Sequence, residues 1–158
     1  MKRKGLIFAC SLLALLPVAA LVVAQKTAAS CAVRVTEPRT GQDVGGTITV
    51  EGNATLPAGH HLWVFVRRDS YRIRAVWWPQ DEGLIDPGTG RWKIPATFGG
   101  SQDIGWDFDI TAAVFDSQQN LQLQKYLSDS MAASDYRPIP MPAAACAAKM
   151  VTVKKTRE

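Results

Sequence analysis

From residue 31 onward, apolar residues recur at every second position along much of the chain, and the pattern is densest in the middle. Residues 61–80, HLWVFVRRDSYRIRAVWWPQ, hold two apolar runs, 62–66 and 73–78, on either side of a polar break at 67–72. Val, Ile, Phe, Tyr and Trp suit a pleated, half-buried surface. The runs are too short for helices and predict two adjacent central strands. Residues 105–116 carry the longest alternation. Trp106, Phe108, Ile110, Ala112 and Val114 share one face, and Asp107, Asp109, Thr111 and Ala113 the other. A period of two over this length predicts an antiparallel sheet with one core face and one solvated face.

Shorter alternations predict further strands at 31–36 (Val33, Val35), 47–53 (Ile48, Val50), 91–94 (Trp92) and 147–155 (Val151, Val153). Turn residues separate them at 37–41, 45–46, 57–59, 81–90 and 99–101. Residues 120–133 break the pattern. Leu121, Leu123, Leu127 and Met131 stand among helix formers and predict a short helix. Residues 135–142 contain Pro138, Pro140 and Pro142, which predicts an extended connection. About seven strands with regularly spaced turns predict a mainly β fold, an antiparallel β-sandwich with one short helix.

The first 24 residues stand apart. Lys2, Arg3 and Lys4 precede an uncharged apolar stretch from residue 5 to 24. A basic start, an apolar run and small residues at Val22 and Ala24 are the parts of an export signal cleaved after Ala24. The run is also close to the ~20 residues that span a bilayer, so a retained membrane anchor is the alternative, with Pro17 favouring the signal. Either way residues 25–158 face outward, in the periplasm or outside the cell. Of the 18 basic residues, three lie in this segment, leaving 15 against 14 acidic ones. So nearly neutral a remainder carries no footprint for nucleic acid.

Export changes the meaning of the cysteines. Beyond Cys10, only Cys31 and Cys146 remain. Two cysteines in an oxidising compartment predict one disulfide. Carried by the first and last strands, it would tie the ends of a domain spanning 31–155 and close a loop of over a hundred residues.

The runs VRVTEPRTGQDVGGTITVEGNATLPAGHHLWVFVRR, VWWPQ, GRW and DIGWDFDITAAVFD resemble prokaryotic immunoglobulin-like (fibronectin III-like) domains of exported proteins. The matching features are Pro38 in the first turn, the Val50-x-Gly52 strand, Leu62-Trp63-Val64, and the Gly90-Arg91-Trp92 hairpin. The likeness runs from about Ala32 to Val153, and residues 120–142 depart from it. It implies an immunoglobulin-like sandwich and a binding or spacer role. Its motifs are structural and carry over no catalytic residue.

Candidate chemistry is sparse. His60 and His61 are adjacent, so on a strand they point apart, and no cysteine or further histidine stands at zinc-ligand spacing. No metal site or cofactor is expected. Of the carboxylates Asp103, Asp107 and Asp109, the last two share a strand face about 7 Å apart, a spacing that suits calcium or acid–base work. Solvated carboxylates paired with Arg67, Arg68, Arg72 or Arg74 are the plainer reading. The serines lie in no nucleophile elbow and no phosphate-binding glycine loop occurs. Trp77 and Trp78 must face opposite sides, one entering the core with Trp106, the other lying outside with Tyr71 or under the helix. Tyr71, Arg72, Trp78, Asp107 and Asp109 are the candidate binding residues. The expectation is a non-enzymatic module of the cell envelope that engages a protein or envelope partner. A glycan bound on exposed tryptophans is the first alternative, and a small hydrolase using the paired aspartates the second.

Overall fold

The computed structural model describes residues 30–70 and 75–158. The segment read as an export signal or anchor, Tyr71 and Arg72 lie outside them. Ten strands and one helix follow in order: β1 (Ala32–Glu37), β2 (Asp43–Val44), β3 (Thr47–Thr55), β4 (His61–Arg68), β5 (Val76–Gly83), β6 (Arg91–Thr97), β7 (Asp107–Phe115), α1 (Ser117–Ala133), β8 (Ile139–Pro140), β9 (Cys146–Ala147) and β10 (Val151–Lys155). Seven of these described strands have five residues or more. A small sheet runs β1-β3-β6 and a larger one runs β2-β10-β7-β4-β5-β8, with β9 on β7. The pairings are antiparallel except for β2 with β10.

The two sheets face each other across the main core. Val50, Trp92 and Ile94 of the small sheet meet Leu62, Val64, Val66, Ile110, Ala112 and Val114 of the large one. Val50, Ile110, Ala112 and Val114 are alternating residues read from the sequence, and Leu62, Val64 and Val66 belong to its first central apolar run; burial of this set is the main driving force for the fold. Gly52 makes room for Trp92, because a Cβ there would strike the Trp92 ring and the Arg34 carbonyl.

The outer face of the large sheet is not wet, contrary to the alternation in β7. Trp63, Phe65, Trp77, Ala113 and Phe115 form a second core with Leu123, flanked by Leu127, Ile139 and Met141. The helix and the proline-rich strap after it cover this face. Asp116 caps α1 by accepting from the Gln119 amide, and the Gln119 side chain bonds back to the Asp116 N–H. The helix therefore starts three residues before the predicted position. The strap is extended, as its prolines require, and its Ile139–Pro140 pairs with β5.

Three further expectations need correction. The second central strand begins at Val76 and continues through Pro79 to Gly83, inside the stretch read as turn. Trp106 precedes β7 rather than entering the core, and 43% of it is exposed. Cys146 lies in β9, not in the closing strand. The disulfide itself is present: Cys31 and Cys146 are bonded, with Cα atoms 6.0 Å apart. Since β1 belongs to one sheet and β9 pairs with the other, the bond joins the two layers.

Candidate binding cleft

The far end of β4 divides the candidate residues between two environments. Strand parity sends Arg67 to the helix side and Arg68 to the inter-sheet side. Arg67 stands opposite Asp109 in register. Its Nε and Nη2 each donate to Asp109 Oδ2 at 2.9 Å. Thr152 Oγ1 donates to the other carboxylate oxygen at 2.7 Å. The Arg67 guanidinium lies 4.4 Å over the Trp77 ring. Asp109 is thus buried and both its oxygens are engaged, which corrects its expected place on a solvated face. Asp107, two residues earlier, is exposed and stands opposite Lys154. The two aspartates share a face but not an environment.

Arg68 enters a different site. Its Nη1 donates to Asp103 Oδ1 at 2.9 Å, and its plane lies 4.4 Å from the Trp106 ring. Arg68 Nε is buried without a hydrogen-bond partner among the described residues. Asp103 sits in a single 3₁₀ turn, Ser101–Asp103. Its other oxygen accepts from the Gly100 amide at 3.1 Å and from Gln102 Nε2 at 3.2 Å. Gly99 has a positive φ of 60° and leaves space that the Asp103 carboxylate fills. From below, Lys155, with no exposed surface, donates to the Gly99 and Gly100 carbonyls at 3.3 and 2.7 Å. Two cations therefore hold the loop of residues 99–105 in place.

Trp78 provides the opposite wall. It pairs with Val66 in register, so it faces the inter-sheet side at the rim. Its indole Nε1 donates to the Tyr136 carbonyl at 3.0 Å, which holds the strap. Tyr126 Oη fastens the next residue by donating to the Arg137 carbonyl at 2.8 Å. Gln80 bridges the rim, accepting from the Thr97 amide at 2.8 Å and donating to the Trp78 carbonyl at 3.0 Å. Between these walls lies a cleft of about 870 Å³. Val66, Phe108 and Pro79 line it, with Trp78 and Tyr136 on one side and Arg68 with Asp103 on the other. This size falls in the range of small-ligand sites.

Of the three candidate binding residues that are described, Trp78, Asp107 and Asp109, only Trp78 lines this cleft. Tyr71 and Arg72 lie outside the described residues, and Asp107 and Asp109 are elsewhere. Arg68 and Asp103, expected only as charges that could pair, were not expected at a binding site, and neither was Tyr136. Arg68 carried a signal: it is a charge at an inward-facing position of an alternating strand. Tyr136 carried none, since its place depends on the path of the strap.

At the other end of the sheet, His61 Nδ1 and Glu82 Oε1 are 2.7 Å apart. Glu82 also accepts from Gln124 Nε2 of the helix at 2.8 Å. Burial pushes the Glu82 carboxyl up, but its bonds to His61, Gln124 and Asn120 outweigh that and hold it below its ordinary value. Asn120 Oδ1 in turn accepts from Trp63 Nε1 at 2.6 Å. His60 bonds the nearby Ala58 carbonyl. Among the described residues, no three His, Cys, Asp or Glu side chains gather as a metal site would need, and no helix is long and apolar enough to cross a membrane.

No known protein-family model matches the chain, and no curated protein matches it significantly in sequence.

Proposed function

We propose that this chain is an exported, non-catalytic binding module of the bacterial cell envelope, with an immunoglobulin-like fold, that holds its partner in the cleft between Trp78 and Arg68. Two facing sheets built from seven longer strands support the fold reading. The disulfide supports an oxidising compartment. The engagement of Asp109 by Arg67 and Thr152 removes the support for acid–base chemistry at the paired aspartates.

The observation that carries the reading is the position of the cleft. Cys146 pairs with Val114 at one end of β7, while Phe108 at the other end lines the cleft. Six residues of strand put about 20 Å between these ends. Ser30, the first described residue, lies next to Cys31 at the first end. A domain tethered through its N-terminal segment would present the cleft away from the tether.

Site-specific photo-crosslinking in intact cells tests this. With the full chain carrying the crosslinker at Tyr136, adducts of higher mass are expected. At Leu121, exposed on the outer face of the helix, none are expected. Adducts at Leu121 alone would overturn the assignment of the cleft as the binding site.

A further inference from the structure

The geometry points to a neutral acetamido sugar, a ring of the N-acetylhexosamine class, as the ligand of this cleft. The inference rests on the cleft being the binding site, and it goes on to name the chemistry of the occupant.

The charges come first. Arg68 is paired with Asp103 inside the cleft, so among the described residues its lining holds no unbalanced charge to select an anion or a cation. Next come the hydrogen-bond donors. An extended peptide would need a free ladder on one of the two flanking strands, β5 or β6. Pro79 and Pro95 carry no N–H in those strands, and the Gln80 side chain already takes the Thr97 amide. A polyproline-type ligand is usually held at aromatic-lined grooves, where an indole N–H would bond its carbonyl. The Trp78 N–H is given to the chain's own Tyr136 carbonyl. Both modes of peptide recognition are therefore occupied by the protein itself.

What remains is an apolar, aromatic hollow with one under-satisfied guanidinium at its side. Arg68 carries five N–H donors. Its only side-chain hydrogen bond among the described residues runs from Nη1 to Asp103, and its guanidinium lies over the Trp106 ring. A third of its side chain is exposed. The fitting ligand has flat C–H faces to lie against Trp78 and Tyr136, a small apolar group to reach Val66 and Phe108, and a carbonyl oxygen to accept from Arg68. An acetamido pyranose has all three. Its ring carbons stack on the aromatic faces, its methyl enters the apolar floor, and its amide oxygen meets the guanidinium. Its hydroxyls stay at the open mouth, in water.

Titration of the full-length chain, in a detergent without sugar groups, reads this directly through indole fluorescence and calorimetry. The probes are triacetylchitotriose, cellotriose with hydroxyls in place of the acetamido groups, and the deacetylated cationic chitotriose. Saturable binding of the acetylated trimer is expected, about tenfold tighter than cellotriose, as one added hydrogen bond implies. Arg68→Met should remove that preference. Tyr136→Ala, at an exposed side chain that cannot unfold the core, should weaken all pyranose binding by about tenfold. Equal binding of acetylated trimer and cellotriose would overturn the acetamido assignment. Silence of every sugar alongside cleft-dependent crosslinking in cells would overturn the sugar class and leave the binding site standing. Binding of a proline-rich peptide at Tyr136 in place of sugar would replace the inference with a peptide ligand.

Discussion

Single residues decide how closely the two sheets approach. Gly52 is the clearest case. It lies in β3 directly opposite Trp92 of β6, and its missing side chain is the space that the indole occupies. Gly52→Ala would force the ring or the β1 backbone to move. Overpacking of this kind costs about 1–3 kcal/mol, and because one obstacle is backbone the upper end is expected. A chemical-denaturation midpoint lowered accordingly, with unchanged slope, would show it; a variant as stable as the parent would refute the packing argument. The Val50-x-Gly52 motif was visible in the sequence, but its reason was not. Nothing in the linear pattern says that the residue facing this glycine is a tryptophan forty positions later. Asp109 shows the same limit. Its alternation with Phe108 and Ile110 marked it as outward-facing, which is correct. Outward became buried only because Arg67, Thr152 and Trp77 converge there.

The helix is held to the sheet by a polar latch as well as by its apolar face. Glu82 of β5 receives His61 from β4 and Gln124 from α1, while Asn120 of α1 receives the Trp63 indole. A carboxyl held below its ordinary value of 4.5 binds fewer protons in the folded state than in the unfolded one. Its contribution to stability is complete above the ordinary value and is lost as pH falls through the lowered folded value. Glu82→Gln should therefore flatten the acid limb of the stability curve below about pH 4.5. Near neutral pH the same change should leave the protein measurably less stable than the parent. Urea melts at stepped pH values check both, and parallel acid limbs for parent and variant would exclude the latch. The helix itself was legible from Leu121, Leu123, Leu127 and Met131, and the proline strap from its composition. Their docking was not, because amphipathicity shows that a helix needs a surface without saying which one.

At the scale of the molecule, one covalent bond joins the layers. Cys31 and Cys146 are 115 residues apart in sequence. Chain-entropy arguments give about 4.7 kcal/mol for closing a loop of roughly a hundred residues in the unfolded state. The double variant Cys31→Ser with Cys146→Ser should lose a comparable amount, with the same cleft geometry in whatever fraction stays folded. Equilibrium melts of the two proteins under oxidising conditions measure the difference, and a gap under about 1 kcal/mol would show that the bond adds little to the fold. Pro79 and Pro95 act at this scale too. By removing N–H groups from β5 and β6 they discourage strand addition at the cleft rim, so the opening stays a cleft and does not become a seam for another chain.

The amino-acid sequence by itself determined the strand faces, the β-rich class, the helix, the proline strap and the pairing of the two outer cysteines. Each of these follows from local periodicity, from turn chemistry or from a count with a single solution. Only the tertiary structure decided that the second sheet face is covered, that Trp106 stays outside, and that Arg68, Asp103, Trp78 and Tyr136 border one hollow. Those four residues come from two strands, a loop and a strap, and their meeting depends on sheet order and crossover. Side-chain alternation tells each residue which way to point; it cannot tell it what will be there.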